Sequence, residues 1–300
     1  MLGDIKNDIY PLPLTPILAE KPWGQKQASP FFSEPIEANW GEVFLAIRDF
    51  GLTSRVANGP LADKPIHQIG QTWGRELIDP PGSANWPLPL TVWLERTGDK
   101  PGPIRVKSGP EFWRVLWAEP DSWIGAGENP DFAAWPQRLR RIVVDADDTF
   151  IVPGGLAQAQ GPGLTIFKVS LSKINVETLY DWERPPDVWD YQSGGQPIPR
   201  DGEPLIVLRP PLSSEGLNLL AQLPSFEASL LEGAFQSFNG GRFAILCPIK
   251  GRGRLNSSGA FSSQRLTPGK AILIPAGLGP YSIVSPNALT AVILTIPKNG

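Results

Sequence analysis

Residues 144–171, VDADDTFIVPGGLAQAQGPGLTIFKVSL, read as strand, glycine turn and strand. Val, Ile and Phe crowd the flanks while Pro153, Gly154 and Gly155 punctuate them, the pattern of short strands joined by tight turns. The same reading fills the end of the chain, in GGRFAILCPIKGRGRL at 240–255, LTPGKAILIPAGLGPYSI at 266–283 and ALTAVILTIP at 288–297.

Working outward, WGEVFLAIRDF at 40–50 and LTSRVA at 52–57 suit two strands of a hairpin about Gly51. Leu88–Leu94, Ile104–Val106, Glu111–Trp117 and Arg141–Val144 are further short strand signals between turn clusters. YPLPLTPILAEKPWG at 10–24 holds too many prolines for a helix and reads as extended. Helical spacing recurs three times: Ile66, Ile69, Trp73 and Leu77 after Pro65; a short stretch at 131–140; and Leu212–Leu223, with a serine N-cap and Pro224 as its stop. Many short strands and few helices predict a sandwich or barrel, not alternating β and α units.

A chain of 300 residues with 34 prolines and 31 glycines spread along it has many turns, and its 41% apolar residues can fill a sizeable core. A net charge of -3 without a Lys/Arg cluster offers little to nucleic acid or an anionic membrane, and GRGR at 251–254 reads as an exposed glycine turn. Lone Cys247 excludes an intrachain disulfide and any CxxC motif. Met1–Tyr10 lacks the apolar run of a signal peptide, and no stretch reaches the length of a membrane span, so the expected compartment is the cytoplasm. The DADD run at 145–148 lacks EF-hand spacing and reads as a solvated turn. His67 is the one histidine in the chain, which excludes sites built on two or three histidines, and it falls on the expected helix after Pro65.

Ordered strings connect the chain to a known family: EKPWG at 20–24, WGEVF at 40–44, VANGPLADKPI at 56–66, WPLPLTVWLE at 86–95, EFWRVLWAEP at 111–120, IVPGG at 151–155 and LYDWER at 179–184. Together with the two strand-turn-strand blocks, they resemble the short bacterial form of the class I mannose-6-phosphate isomerases, in the cupin superfamily. The resemblance implies a mainly β fold of two cupin (jelly-roll) β-barrel or sandwich halves with a few short helices. With the Pro/Gly-rich run 184–201 as the best candidate for a domain connection, the chain divides into an N-terminal cupin-like half at 1–185 carrying the ancestral pocket, a connecting segment at 186–224 that includes the expected helix Leu212–Leu223, and a C-terminal cupin-like half at 225–300.

The resemblance also implies a zinc held by a glutamine and a histidine in one string, a glutamate ahead of a tryptophan, and a histidine after the Val-Pro-x-Gly turn. Carried over by position, Arg105 and Lys107 of IRVKSG stand for the glutamine and first histidine, Glu111 keeps the glutamate, and Gln158 stands for the second histidine. Thr178 stands for the catalytic arginine and Thr91 falls near a family lysine. One carboxylate does not hold zinc, so no cofactor is expected.

Arg105 and Lys107 share parity on a strand and project to one face, towards Glu111. Arg105, Lys107, Glu111, Gln158, Thr178 and Trp23 are therefore the candidate ligand-binding residues, with Glu111 the candidate for any catalysis. Trp113 and Tyr180 are further stacking surfaces. Three readings follow: a zinc-free, non-catalytic or altered relative that binds a sugar phosphate or acidic sugar; a metal-independent sugar-phosphate isomerase or epimerase with Glu111 as base; and a structural or regulatory cupin whose charges pair internally.

Overall fold

Alternate residues of the strand Leu90–Arg96 point into two different interiors, and all seven are buried. Leu90, Val92 and Leu94 join the largest apolar cluster, while Thr91, Trp93 and Glu95 face the other way. Burial on both faces explains why this segment reads as a continuous run.

The computed structural model describes residues 9–25, 39–78, 88–127, 137, 139–172, 174–182, 204–208, 215–238, 241–259 and 261–296. Leu90–Arg96 lies within a seven-stranded antiparallel sheet ordered Ile206–Leu208, Thr149–Val152, Glu111–Ala118, Leu164–Leu171, Leu90–Arg96, Trp40–Ala46 and Ile17–Gln25. Against one face stands a five-stranded sheet of Arg140–Val143, Trp123–Gly127, Ala157–Gln160, Ile104–Lys107 and Val176–Tyr180. Against the other packs the C-terminal sheet, ordered Leu12–Pro13, Ile272–Ile274, Ala244–Ser257, Pro280–Thr295, Glu227–Glu232 and Gly216–Gln222.

The core between the seven-stranded and C-terminal sheets brings Val43, Val92, Phe112 and Phe167 against Ile245, Leu273, Val292 and Leu294. Each such side chain contributes about 2 kcal/mol by leaving water. A second cluster, including Leu246, Leu255, Ile272 and Ile283, fills the other face of the C-terminal sheet. The chain is thus mainly β, in antiparallel sheets of cupin type. Leu12 and Pro13 pair with Leu273 and Ile272, so the start of the described chain completes the C-terminal sheet.

The helix after Pro65 forms over Ile66–Trp73 and continues as a 3-10 turn over Gly74–Glu76, burying Ile66, Ile69, Gly70 and Trp73. The hairpin about Gly51 also forms, Arg48–Asp49 pairing with Leu52–Thr53. Two expectations are corrected. Leu212–Leu223 is not helical where described: Gly216–Gln222 is a strand paired with Glu227–Glu232, because a hairpin closed by Leu223 N–H to Phe226 O (2.9 Å) gives the leucines a sheet to join. GRGR at 251–254 is not a chain reversal but part of the strand Ala244–Ser257, whose register slips three times between Pro248 and Arg254 and lets Gly251 sit at φ 71°. The expected helix at 131–140 falls mostly outside the described residues, with Arg140–Val143 a strand, and the connecting run 184–201 lies wholly outside them.

Candidate functional site

The strand Ile104–Lys107 places Arg105 and Lys107 on one side of the five-stranded sheet, against the polar face of the seven-stranded sheet. Gln158 and Thr178 are the cross-strand neighbours of Arg105, one on each side. Lys107 donates to Glu111 Oε1, and Glu111 Oε2 accepts from Gln158 Nε2 at 2.7 Å and Trp113 Nε1 at 3.1 Å. Arg105 Nη1 donates to Glu42 Oε1 at 2.9 Å, and Lys21 Nζ lies 3.5 Å from the other Glu42 oxygen. Behind these, Lys168 Nζ donates to Glu95 Oε2 at 2.6 Å.

Every cation of this network also lies over an indole. Arg105 and Lys21 lie 5.2 and 5.4 Å from the Trp23 ring centroid, Lys107 lies 4.3 Å from Trp93, and Lys168 lies 3.8 Å from Trp113. An aromatic face attracts a desolvated cation and so offsets part of the lost hydration. Trp23 and Trp113 thus carry cations, and Tyr180 packs edge-on against Trp182.

Burial acts to raise the Glu95 pKa, but Lys168, Arg105 and Lys107 outweigh it and hold the carboxyl below its ordinary value. Burial lowers the Lys168 pKa, with Glu95 and Glu111 opposing. Charges this deep persist because they are paired and hydrogen-bonded.

Two of the cations reach open space. A small pocket is lined by Arg105 and Lys107, by Glu42, Thr91 and Ser170, and by an apolar wall that includes Phe44, Phe50 and Trp93. Thr91 and Ser170 are direct cross-strand partners, which brings their hydroxyls to one place. Glu111 is fully buried behind this lining. Sequence reasoning found Arg105, Lys107, Glu111, Gln158, Thr178 and Trp23, which the fold gathers around one strand. It missed Lys21, Glu42, Glu95 and Lys168. The available signal was a charged residue inside each of four strand-like runs, EKPWG, WGEVF, WPLPLTVWLE and LTIFKVSL.

Two glycines of those strings have structural reasons. A Cβ on Gly41 would lie 2.4 Å from Lys21 Cβ, so its absence lets the lysine stem cross the strand. A Cβ on Gly24 would lie 2.5 Å from the Trp40 carbonyl carbon.

The donor set does not fit zinc. Arg105 and Lys107 are cations without a lone pair to offer. Both Glu111 oxygens already accept hydrogen bonds, and Gln158 adds one neutral oxygen, Oε1, that is buried without a hydrogen-bond partner. Among the described residues, no three His, Cys, Asp or Glu side chains are grouped to hold a metal ion. His67 is on the helix Ile66–Trp73, half-buried, its pKa lowered by burial and by Arg48 and Arg55. Nor does any described helix have the length and apolarity to cross a membrane.

No protein-family model matches the chain. A probable mannose-6-phosphate isomerase of Bacillus subtilis is 24% identical over 196 residues, which span 58% of this chain and 62% of that relative. Among solved structures, a mannose 6-phosphate isomerase from Bacillus subtilis superposes with a TM-score of 0.78 at 20% identity, covering 95% of this chain and 99% of that one. A mannose 6-phosphate isomerase from Salmonella typhimurium, bound to substrate (f6p) and a zinc atom, gives 0.70 at 11% identity, covering 96% and 100%. A putative mannosephosphate isomerase from Archaeoglobus fulgidus gives 0.68 at 16% identity, covering 96% and 98%. The chain has the fold of the mannose-6-phosphate isomerases.

Proposed function

We propose that this chain is a mannose-6-phosphate isomerase-like protein of carbohydrate metabolism that works without zinc and binds a sugar phosphate or acidic sugar rather than isomerising it. The observation that carries this reading is the Lys107–Glu111–Gln158 set: at the positions that match the metal ligands, an ammonium and an amide satisfy the one remaining carboxylate. The fold shared with sugar-phosphate isomerases supports the ligand class, and Arg105 and Lys107 supply positive charge at the pocket wall.

A metal-independent isomerase would need Glu111 as base, with an oxygen facing substrate. Both of its oxygens are hydrogen-bonded and the residue is fully buried, so the geometry favours binding. Elemental analysis after native purification, a mannose 6-phosphate turnover assay and a thermal-shift screen of sugar phosphates and sugar acids test the proposal together. Substoichiometric zinc, no turnover and stabilisation by an anionic sugar are expected. Stoichiometric zinc with turnover overturns it.

A further inference from the structure

We infer that the chain associates with a second copy of itself through opposite charges, a cationic face of the C-terminal sheet on one copy meeting two acidic turns of the N-terminal half on the other. Charge is divided unevenly along the sequence. From residue 233 to residue 300 the chain holds seven Lys and Arg and no Asp or Glu, so within a whole-chain charge of -3 the first 232 residues carry -10.

The fold gathers the cations onto one face. Along the strand Ala244–Ser257, Lys250, Arg252 and Arg254 alternate with Gly251 and Gly253, and all three are exposed. A Cβ on Gly253 would lie 2.9 Å from the Val284 carbonyl oxygen and 3.0 Å from Leu289 Cδ2, so this glycine faces the apolar interior and the arginines beside it leave by the other side. Arg254 stands directly opposite Arg265, which is also exposed. Like charges placed this way repel, and among the described residues no carboxylate pairs with Lys250, Arg252, Arg254 or Arg265. Val284, the partner of Arg254 on its other side, adds an exposed apolar side chain. An anionic surface from outside the chain relieves the repulsion that no residue within it relieves.

The N-terminal half displays such a surface. Ser122 N–H closes a turn onto Glu119 O at 3.1 Å, Asp148 N–H closes a second onto Asp145 O at 3.3 Å, and Val144 N–H to Ser122 O at 3.1 Å ties the two together. Asp147 is engaged by Arg114, whereas Asp121 and Asp145 are exposed and make no ion pair among the described residues. Trp117 and Val143, each two residues ahead of one of these turns, are 52% and 67% exposed. Both surfaces therefore set charge of one sign beside exposed apolar area, the composition of a protein–protein contact. A nucleic acid fits the cationic face less well, because residues 250–254, 263–266 and 284–290 include no aromatic ring on which a base could stack.

Sedimentation velocity of the full chain tests the inference. Concentration-dependent association is expected at about 0.02 M salt, weakening at least about tenfold at about 0.5 M, where exposed charges are screened. Arg252→Glu with Arg254→Glu, and separately Asp121→Lys with Asp145→Lys, should each weaken association at least about tenfold. Mixing the two variants should restore a pair, because each supplies the surface that the other lacks. Thermal melts confirm that each variant is folded, and the single substitutions Arg252→Glu and Asp121→Lys decide if a double variant is not. A chain that stays monomeric at low salt, association that neither reversal weakens, or a mixture that does not pair overturns the inference. Binding of a fluorescent single-stranded oligonucleotide that Arg252→Glu with Arg254→Glu abolishes also overturns it, by assigning the face to nucleic acid.

Discussion

Lys168 and Glu95 form an ion pair closed off from solvent: Nζ lies 2.6 Å from Oε2, each side chain is 2% exposed, and the Trp113 ring covers the ammonium at 3.8 Å. They sit on neighbouring strands of the seven-stranded sheet and point towards the pocket half, away from the apolar core. Removing one member strands the other, which costs far more than the pair contributes as a pair. Lys168→Met is therefore expected to destabilise the protein by about 3–5 kcal/mol in denaturant unfolding. The double variant Lys168→Met, Glu95→Gln should recover most of that loss. A single variant within about 1 kcal/mol of the natural chain would show that Glu95 keeps its other cations as sufficient partners.

The same pair sets an acid limit. Glu95 has a folded pKa below its unfolded one, so its contribution is complete above about pH 4.3 and is lost as pH falls through the lower folded value. Lys168 acts at the other end: its folded pKa is depressed, so between that value and about 10.4 the unfolded chain binds more protons and stability rises with pH. Unfolding free energy measured against pH should hold steady from neutrality down to the ordinary carboxylate range and then fall. In the Lys168→Met, Glu95→Gln double variant the acid limb should be shallower; an unchanged limb would assign the acid sensitivity to other carboxylates.

Gly41 links a sequence string to the charge network. The Cβ of an alanine there would lie 2.4 Å from Lys21 Cβ and 2.7 Å from its Cγ, on a strand buried throughout. Gly41→Ala must push the lysine stem aside and pull its ammonium away from Glu42, a crowding penalty of about 1–3 kcal/mol. Thermal melts of Gly41→Ala alone and with Lys21→Gly separate the two effects. The second substitution empties the space that the added methyl needs, so a crowding cost that persists in the double variant would place the strain elsewhere.

These residues show which parts of the molecule were legible in the sequence. Turn glycines and β-branched runs mark the strands, and parity along Ile104–Lys107 correctly set Arg105 and Lys107 side by side. Partner identity was not legible: Arg105 meets Glu42 across 63 residues and between two sheets, a contact that no period within one strand encodes. The leucines at 217, 219 and 220 illustrate the complementary failure. A short apolar run satisfies helix and strand periods alike, and the choice was made by the neighbouring strand Glu227–Glu232.

If side chains alone remove the metal site, restoring them should restore it. Arg105→Gln, Lys107→His and Gln158→His together would surround Glu111 with the donor types that the family resemblance implies, on a strand pair already in register between residues 105 and 158. Glu111 would lose Lys107 and Gln158 as hydrogen-bond donors and regain oxygens able to ligate, while Glu42 would keep Lys21 after losing Arg105. The triple variant is expected to bind close to one zinc per chain by elemental analysis. Added zinc at about a thousandfold above its dissociation constant should stabilise it by about 4 kcal/mol, and the natural chain should show neither effect. A folded triple variant that binds no zinc would mean that the backbone itself has moved away from the metal geometry, and that the position-by-position match of Arg105, Lys107 and Gln158 to the lost ligands is wrong.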